Sequence, residues 1–259
     1  MPRFLKQFIY GFVYLLVLGL VGLGVYDRYF VVPPSCSDNV QNQQESEIDC
    51  GGPRCSTCEL KHMTLEIGEP AFFDAGQFKT TAVVKITNPS FNYGSKSFNY
   101  EFQVINKLGG AIATRPSLSG ASYISANDTK YLIVPAIDID PRDVGRVVVN
   151  IPNVAWDLKT NLTSYSFSFK NLKLTLMGKS PQVSGMLKND SAGTYKAISV
   201  IGVLFDKRGN AVAASTTQMD NIQSFSETPF TIFYSAINNA SVIDTASLSQ
   251  NWFSYEVSR

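Results

Sequence analysis

A chain of 259 residues can hold one large domain or two of ordinary size, each with its own core. Charged residues make up 17%, the net charge is +1, and Lys and Arg are spread along the chain, which excludes the basic footprint of nucleic-acid binding. A single histidine, His62, removes most acid–base and metal chemistry, while abundant Ser, Thr, Asn and aromatics match secreted-type β proteins.

The first element is apolar. Residues 1–6 carry Arg3 and Lys6 and are expected in the cytoplasm, whereas residues 7–26 run from Gln7 to Tyr26 without a charged side chain. At 1.5 Å per residue, a helix over this stretch covers the roughly 30 Å hydrocarbon layer. Tyr10, Tyr14, Tyr26, Tyr29 and Phe30 are placed for its interfaces. The run is longer than a signal peptide's apolar core, with no small-residue cleavage site and no adjoining lipidation cysteine, so a retained anchor is expected. Arg3 and Lys6 outweigh the neutral Asp27–Arg28 pair, so the positive-inside rule predicts a single-pass plasma-membrane protein with residues after about 30 outside. Residues 27–35, with Pro33 and Pro34, read as a juxtamembrane linker.

Residues 36–60 form the next unit. All four cysteines, Cys36, Cys50, Cys55 and Cys58, fall here, in a stretch too polar to build a hydrophobic core. Outside the cytoplasm two disulfides are expected, with the three possible pairings open. A zinc site would need paired C-x-x-C knuckles, which the spacing lacks. Cys55-Ser-Thr-Cys58 has redox-dithiol spacing without the βαβ context such a site requires. Asp38, Asn42, Glu45 and Asp49, with Glu47 in reserve, are hard oxygen donors at flexible loop spacing, the chemistry of a structural Ca²⁺ site. Through Cys36, Asp38, Asn42, Glu45, Asp49, Cys50, Gly51, Gly52, Cys55 and Cys58, the segment resembles the short C-x-D-G-x-x-N-x-x-E-x-x-x-D-C-G-G-x-C-x-x-C modules that follow the anchor in many bacterial and archaeal surface proteins. Asn39 stands where glycine is usual, and Pro53-Arg54 adds a residue before the third cysteine. The resemblance implies a prokaryotic surface location.

The remainder repeats itself. Val83 to Asn88 is matched by Val183 to Asn189, Phe98 to Val104 by Ile198 to Phe205, and the turn Asn106-Lys-Leu-Gly-Gly110 by Asp206-Lys-Arg-Gly209. Trp156 and Trp252 follow at similar distances. Alternating strands with frequent turn signals and no long amphipathic helix predict an all-β chain with two tandem Ig- or fibronectin-like β-sandwiches, residues 62–157 and 164–259, with a polar boundary at Asp157 to Thr163. The second unit resembles FxLYD-type bacterial sandwich domains through Val183, Gly185, Asn189, Ser191 and Val203-Leu204-Phe205-Asp206-x-x-Gly209. The first resembles the related water-stress (late-embryogenesis-abundant type 2) sandwich through Ile86-Thr87-Asn88-Pro89 and Tyr93-Gly94. Both resemblances imply a fold.

Familiar catalytic motifs are absent, and one histidine rules out a Ser-His-Asp triad in either unit. Asp138 and Asp140 are an acidic pair that reads as a solvated loop between Pro135 and Pro141. Sequons occur at Asn127, Asn161, Asn189 and Asn239, and Phe72, Phe73, Phe91, Tyr93, Phe98 and Tyr100 offer a possible glycan platform, although aromatics in sandwiches mostly build core. The expectation is a non-catalytic spacer or interaction protein of the cell envelope, without cofactor other than calcium, whose partner outside the cell is a protein or a glycan. The alternatives are an accessory subunit of a pilus or secretion machine and, last, an envelope carbohydrate-active enzyme.

Overall fold

The computed structural model describes residues 2–29, 35–112, 118–237, 243–244 and 248–257; Phe30, Pro33, Pro34 and Asn239 lie outside them. The chain divides into two units, Met1–Met63 and Thr64–Arg259.

In the first unit, helix α1 spans Arg3–Tyr29, longer at both ends than the uncharged run because helical backbone accommodates Arg3, Lys6, Asp27 and Arg28 at its termini. It is long and apolar enough to cross a membrane, and none of it is buried by protein. The cysteine segment ends in a short helix α2, Cys58–His62.

The second unit is β-sheet. Its strands are β1 Glu66–Ile67, β2 Ala71–Gly76, β3 Lys79–Asn88, β4 Tyr93–Asn106, β5 Ser119–Ile124, β6 Asp128–Ile137, β7 Val144–Asn150 and β8 Val154–Leu158, followed by β9 Phe167–Met177, β10 Ser180–Asn189, β11 Tyr195–Phe205, β12 Ala211–Ile222, β13 Glu227–Phe233 and β14 Phe253–Val257. In the first half, residues 64–158, β3 pairs with β6 along its length and with β1 and β2 at its two ends. The second sheet of that half centres on β4, which pairs with β5, β7 and β8. The second half, residues 164–257, repeats the plan: β10 lies between β9 and β13, and β11 between β12 and β14. All these pairings are antiparallel.

The repeat is carried by turns. Asn88 and Asn189 are both fully buried. Asn88 Nδ2 donates to the carbonyls of Tyr93 and Ser125, and Asn189 Nδ2 to those of Gly193 and Gln223, each at 2.7–2.8 Å. Each Asn Oδ1 accepts the amide two residues on, from Ser90 and Ser191. One amide therefore clips two neighbouring hairpin ends together through their carbonyls. The turns at 106–110 and 206–210 also correspond: Asn106 and Asp206 side chains accept two backbone amides each, and Gly109 and Gly209 take φ of 87° and 85°. The tryptophans do not correspond. Trp156 on β8 stands opposite Ser95 at the start of β4, whereas Trp252 precedes β14, which joins the far end of β11 at Gly202. Their matching spacing does not reflect matching places, because position in a sheet is set by register rather than by distance along the chain.

Three apolar clusters order the sheets. Ala82, Val84, Ile86 and Leu132 meet Phe98, Phe102, Val104 and Val147 between the two sheets of the first half. Val183, Leu187, Phe230 and Ile232 meet Ile198, Val200, Leu204 and Phe253 in the second. A third cluster joins the halves: Val83 and Tyr131 pack on Ile201, Val203 and Ala214. β3 and β11 are thus covered on both faces, with even-numbered residues of β11 turned to one cluster and Ile201 and Val203 to the other.

Candidate functional site

The cysteine segment is the candidate site, since the nominated ligands and thiols fall in it together. The thiols form two disulfides, Cys36–Cys55 and Cys50–Cys58, which selects one of the three pairings open from sequence. The longer bridge closes a loop of 19 residues' separation, which by chain entropy alone is worth about 3 kcal/mol. Inside that loop the backbone turns sharply, and Asn39, Gln43, Gln44, Asp49, Gly51 and Gly52 all have left-handed φ. Asn39, at 60°, occupies the conformation that glycine favours and that asparagine tolerates best among the other residues, so its presence leaves the turn intact. Gly52 has no such substitute: a Cβ there would lie 2.3 Å from the Gln44 carbonyl oxygen.

The four predicted ligands share one hydrogen-bond network. Asp38 accepts the Ser35 and Val40 amides and the Asn42 side-chain amide at 2.8–3.0 Å. These bonds, led by the one from Ser35, hold the Asp38 carboxyl below the ordinary aspartate value of 3.8. Glu45 is buried, at 6% exposure, and its Oε2 accepts the amides of Asn42 and Asp49; Asp49 in turn accepts the Asn39 amide. Asn42 Oδ1 is buried with no hydrogen-bond partner among the described residues. The reserve residue, Glu47, turns away to His62, with Nε2 to Oε2 at 3.0 Å. Among the described residues, the sets of His, Cys, Asp or Glu atoms close enough to share an ion are Cys36–Glu45–Cys55 and Glu47–Cys50–Cys58, and in both the sulfurs are tied up as disulfides. What the arrangement offers a cation is hard oxygen, every carboxylate of which also serves a backbone amide.

Other candidates are dispersed. Asp140 is paired with Arg142 at 2.6 Å, a contact that keeps its carboxyl below the usual range, while Asp138 is exposed. The aromatics do not make a platform: Phe98 and Tyr93 are buried, Phe72 and Tyr100 pack against the first-half core, and Phe91 projects at 71% exposure. Asn189 is sealed inside, so its sequon is not a glycan acceptor, whereas Asn127 and Asn161 are exposed.

A polar cluster that the sequence did not announce lies where the halves meet. The Lys130 side chain is 4% exposed, and its ammonium contacts the Glu256 carboxylate, the Tyr123 carbonyl oxygen and the face of the Tyr123 ring. Burial lowers the Lys130 pKa, and Glu256 and then Asp128 oppose that shift. Burial raises the Asp128 carboxyl. No local pattern marks the pair: Lys130 opens the apolar run Tyr131-Leu-Ile-Val134, and its partner lies 126 residues away.

No protein-family model matches the chain, and no curated protein matches it.

Proposed function

We propose that this is a membrane-anchored, non-catalytic spacer or interaction protein of the cell envelope, serving adhesion or surface assembly. The observation that carries the reading is α1, an apolar helix of membrane-spanning length with no face covered by protein. Two disulfides accord with an oxidising compartment beyond the membrane, and so with Arg3 and Lys6 on the cytoplasmic side. We read the paired sheets of each half as an Ig- or fibronectin-like sandwich, akin to the FxLYD and water-stress types, on the strength of the repeated strand pairing and the shared Asn-turn. The cysteine segment, similar to the surface-protein module, then acts as a collar between anchor and sheets. The partner outside the cell is a protein or a glycan.

Protease added to intact cells or spheroplasts is the test. Digestion of everything beyond about residue 60, with a cytoplasmic marker spared, is the expected result. Protection of the sheets under those conditions would overturn the orientation, and recovery of the chain in the soluble fraction would overturn the anchor.

A further inference from the structure

We propose that β14 and the turn before it are a clasp that sets the geometry between the two halves of the β unit, and that releasing the clasp undocks the halves while each keeps its own core.

Four polar ties run from the first half to residues 251–256. Ser122 Oγ donates to Glu256 Oε2 at 3.1 Å, and the Lys130 ammonium contacts the same carboxylate. The Tyr131 amide donates to Ser254 Oγ and its hydroxyl to the Asn251 carbonyl, both at 3.2 Å. The segment is itself held by the second half, through β11 from Ile198 to Gly202 and through the Tyr255 hydroxyl on the Tyr165 carbonyl.

The third apolar cluster, and the Tyr123 ring packed into the second-half core, draw the halves together, but hydrophobic contact is non-directional and does not by itself select one geometry. The ties are directional. Lys130 cannot reach water while the halves are docked, so any docked arrangement that separates it from Glu256 leaves a buried ammonium without its directly bonded carboxylate. The pair selects one docking, which is the best-attested use of a buried ion pair; it lies outside the first-half core and at the margin of the second-half core, where Tyr123 of the first half and Val257 are packed. The halves are joined by a short connection around the turn Lys159–Asn161, where undocking would be accommodated.

The test measures the distance between spin labels on the full chain in detergent. Leu108→Cys and Met177→Cys place one label on each half at exposed positions, and the four native cysteines are in disulfides, so only the new thiols react. The parent should give one narrow distance distribution. With Lys130→Met and Glu256→Leu combined, the narrow peak should be lost while amides of β3, β4, β10 and β11 keep their protection from hydrogen exchange. An unchanged narrow peak would overturn the proposal, because the apolar cluster would then set the geometry alone. Loss of core protection in both halves would also overturn it, by showing that the pair serves folding rather than docking. Ser254→Ala with Tyr131→Phe removes only neutral ties and guards against misfolding of the first variant; it should broaden the peak, and a peak identical to the parent's counts against the clasp.

Discussion

Asn88 and Asn189 each replace a stretch of ladder with a single side chain. Asn189→Ala would remove two bonds donated to the Gly193 and Gln223 carbonyls and two accepted from Ser191, its amide and its hydroxyl, at about one kcal/mol per bond or less where another donor remains, as Ser226 does for Gln223. We expect a loss on the order of 2–3 kcal/mol, read as a lower thermal midpoint, with Asn189→Asp nearly as damaging because a carboxylate cannot donate. Gly52→Ala should prevent the native disulfide pairing, seen by peptide mapping, since its Cβ has nowhere to go. Asp38 has a depressed pKa in the folded chain, so it favours the folded turn above the ordinary value of 3.8, and that contribution is lost as the pH falls through its lower folded value. The Ser35 and Val40 amide resonances should shift together in that acid range with both disulfides intact.

β11 shows what was legible in the sequence and what was not. Alternation and turn residues placed the strands, and the Asn–Ser and Gly turn pairs disclosed the repeat, because both are local properties of the chain. The run Ile198-Ser-Val-Ile-Gly-Val-Leu-Phe205 also carried a second message, since near-continuous apolar sequence belongs to a strand buried on both faces. That signal was open to reading, whereas Lys130 and Glu256 gave none, because their meeting depends on how one sheet lies on another. The same limit applies to the ligand set in the cysteine segment: the oxygens were visible, but their engagement with backbone amides required the folded turn. Val203→Asp should undock the halves, placing a charge in the third cluster; the matching change at Leu108, which is 96% exposed, should leave the midpoint unaltered.

For the molecule as a whole, the cysteine segment and the β unit should fail under different conditions. Reduction with dithiothreitol should unfold the segment, which lacks a hydrophobic core, while leaving the circular dichroism of the sheets intact. Chelator should leave the oxidised segment's transition unchanged, because its disulfides and amide–carboxylate bonds already close the loop. A transition that rises with added Ca²⁺ would instead give Asp38, Asn42, Glu45 and Asp49 the ligand role. Separating residues 64–158 from 164–257 would bare Val83, Tyr131, Ile201 and Val203, so each piece should melt earlier than the joined unit.

The position of the clasp along the chain also sets a clock. Tyr131 leaves the ribosome 120 residues before the Asn251 carbonyl that receives its hydroxyl. At about 5–20 residues per second, that is a wait of roughly 6–24 s. For the earlier part of it, until Ile201, Val203 and Ala214 have emerged, the face formed by Val83, Tyr131, Ala71 and Phe73 has no cover. A chain that stalls or is cut before β11 emerges carries this bare sheet face permanently, which makes truncated translation products the species most prone to aggregate.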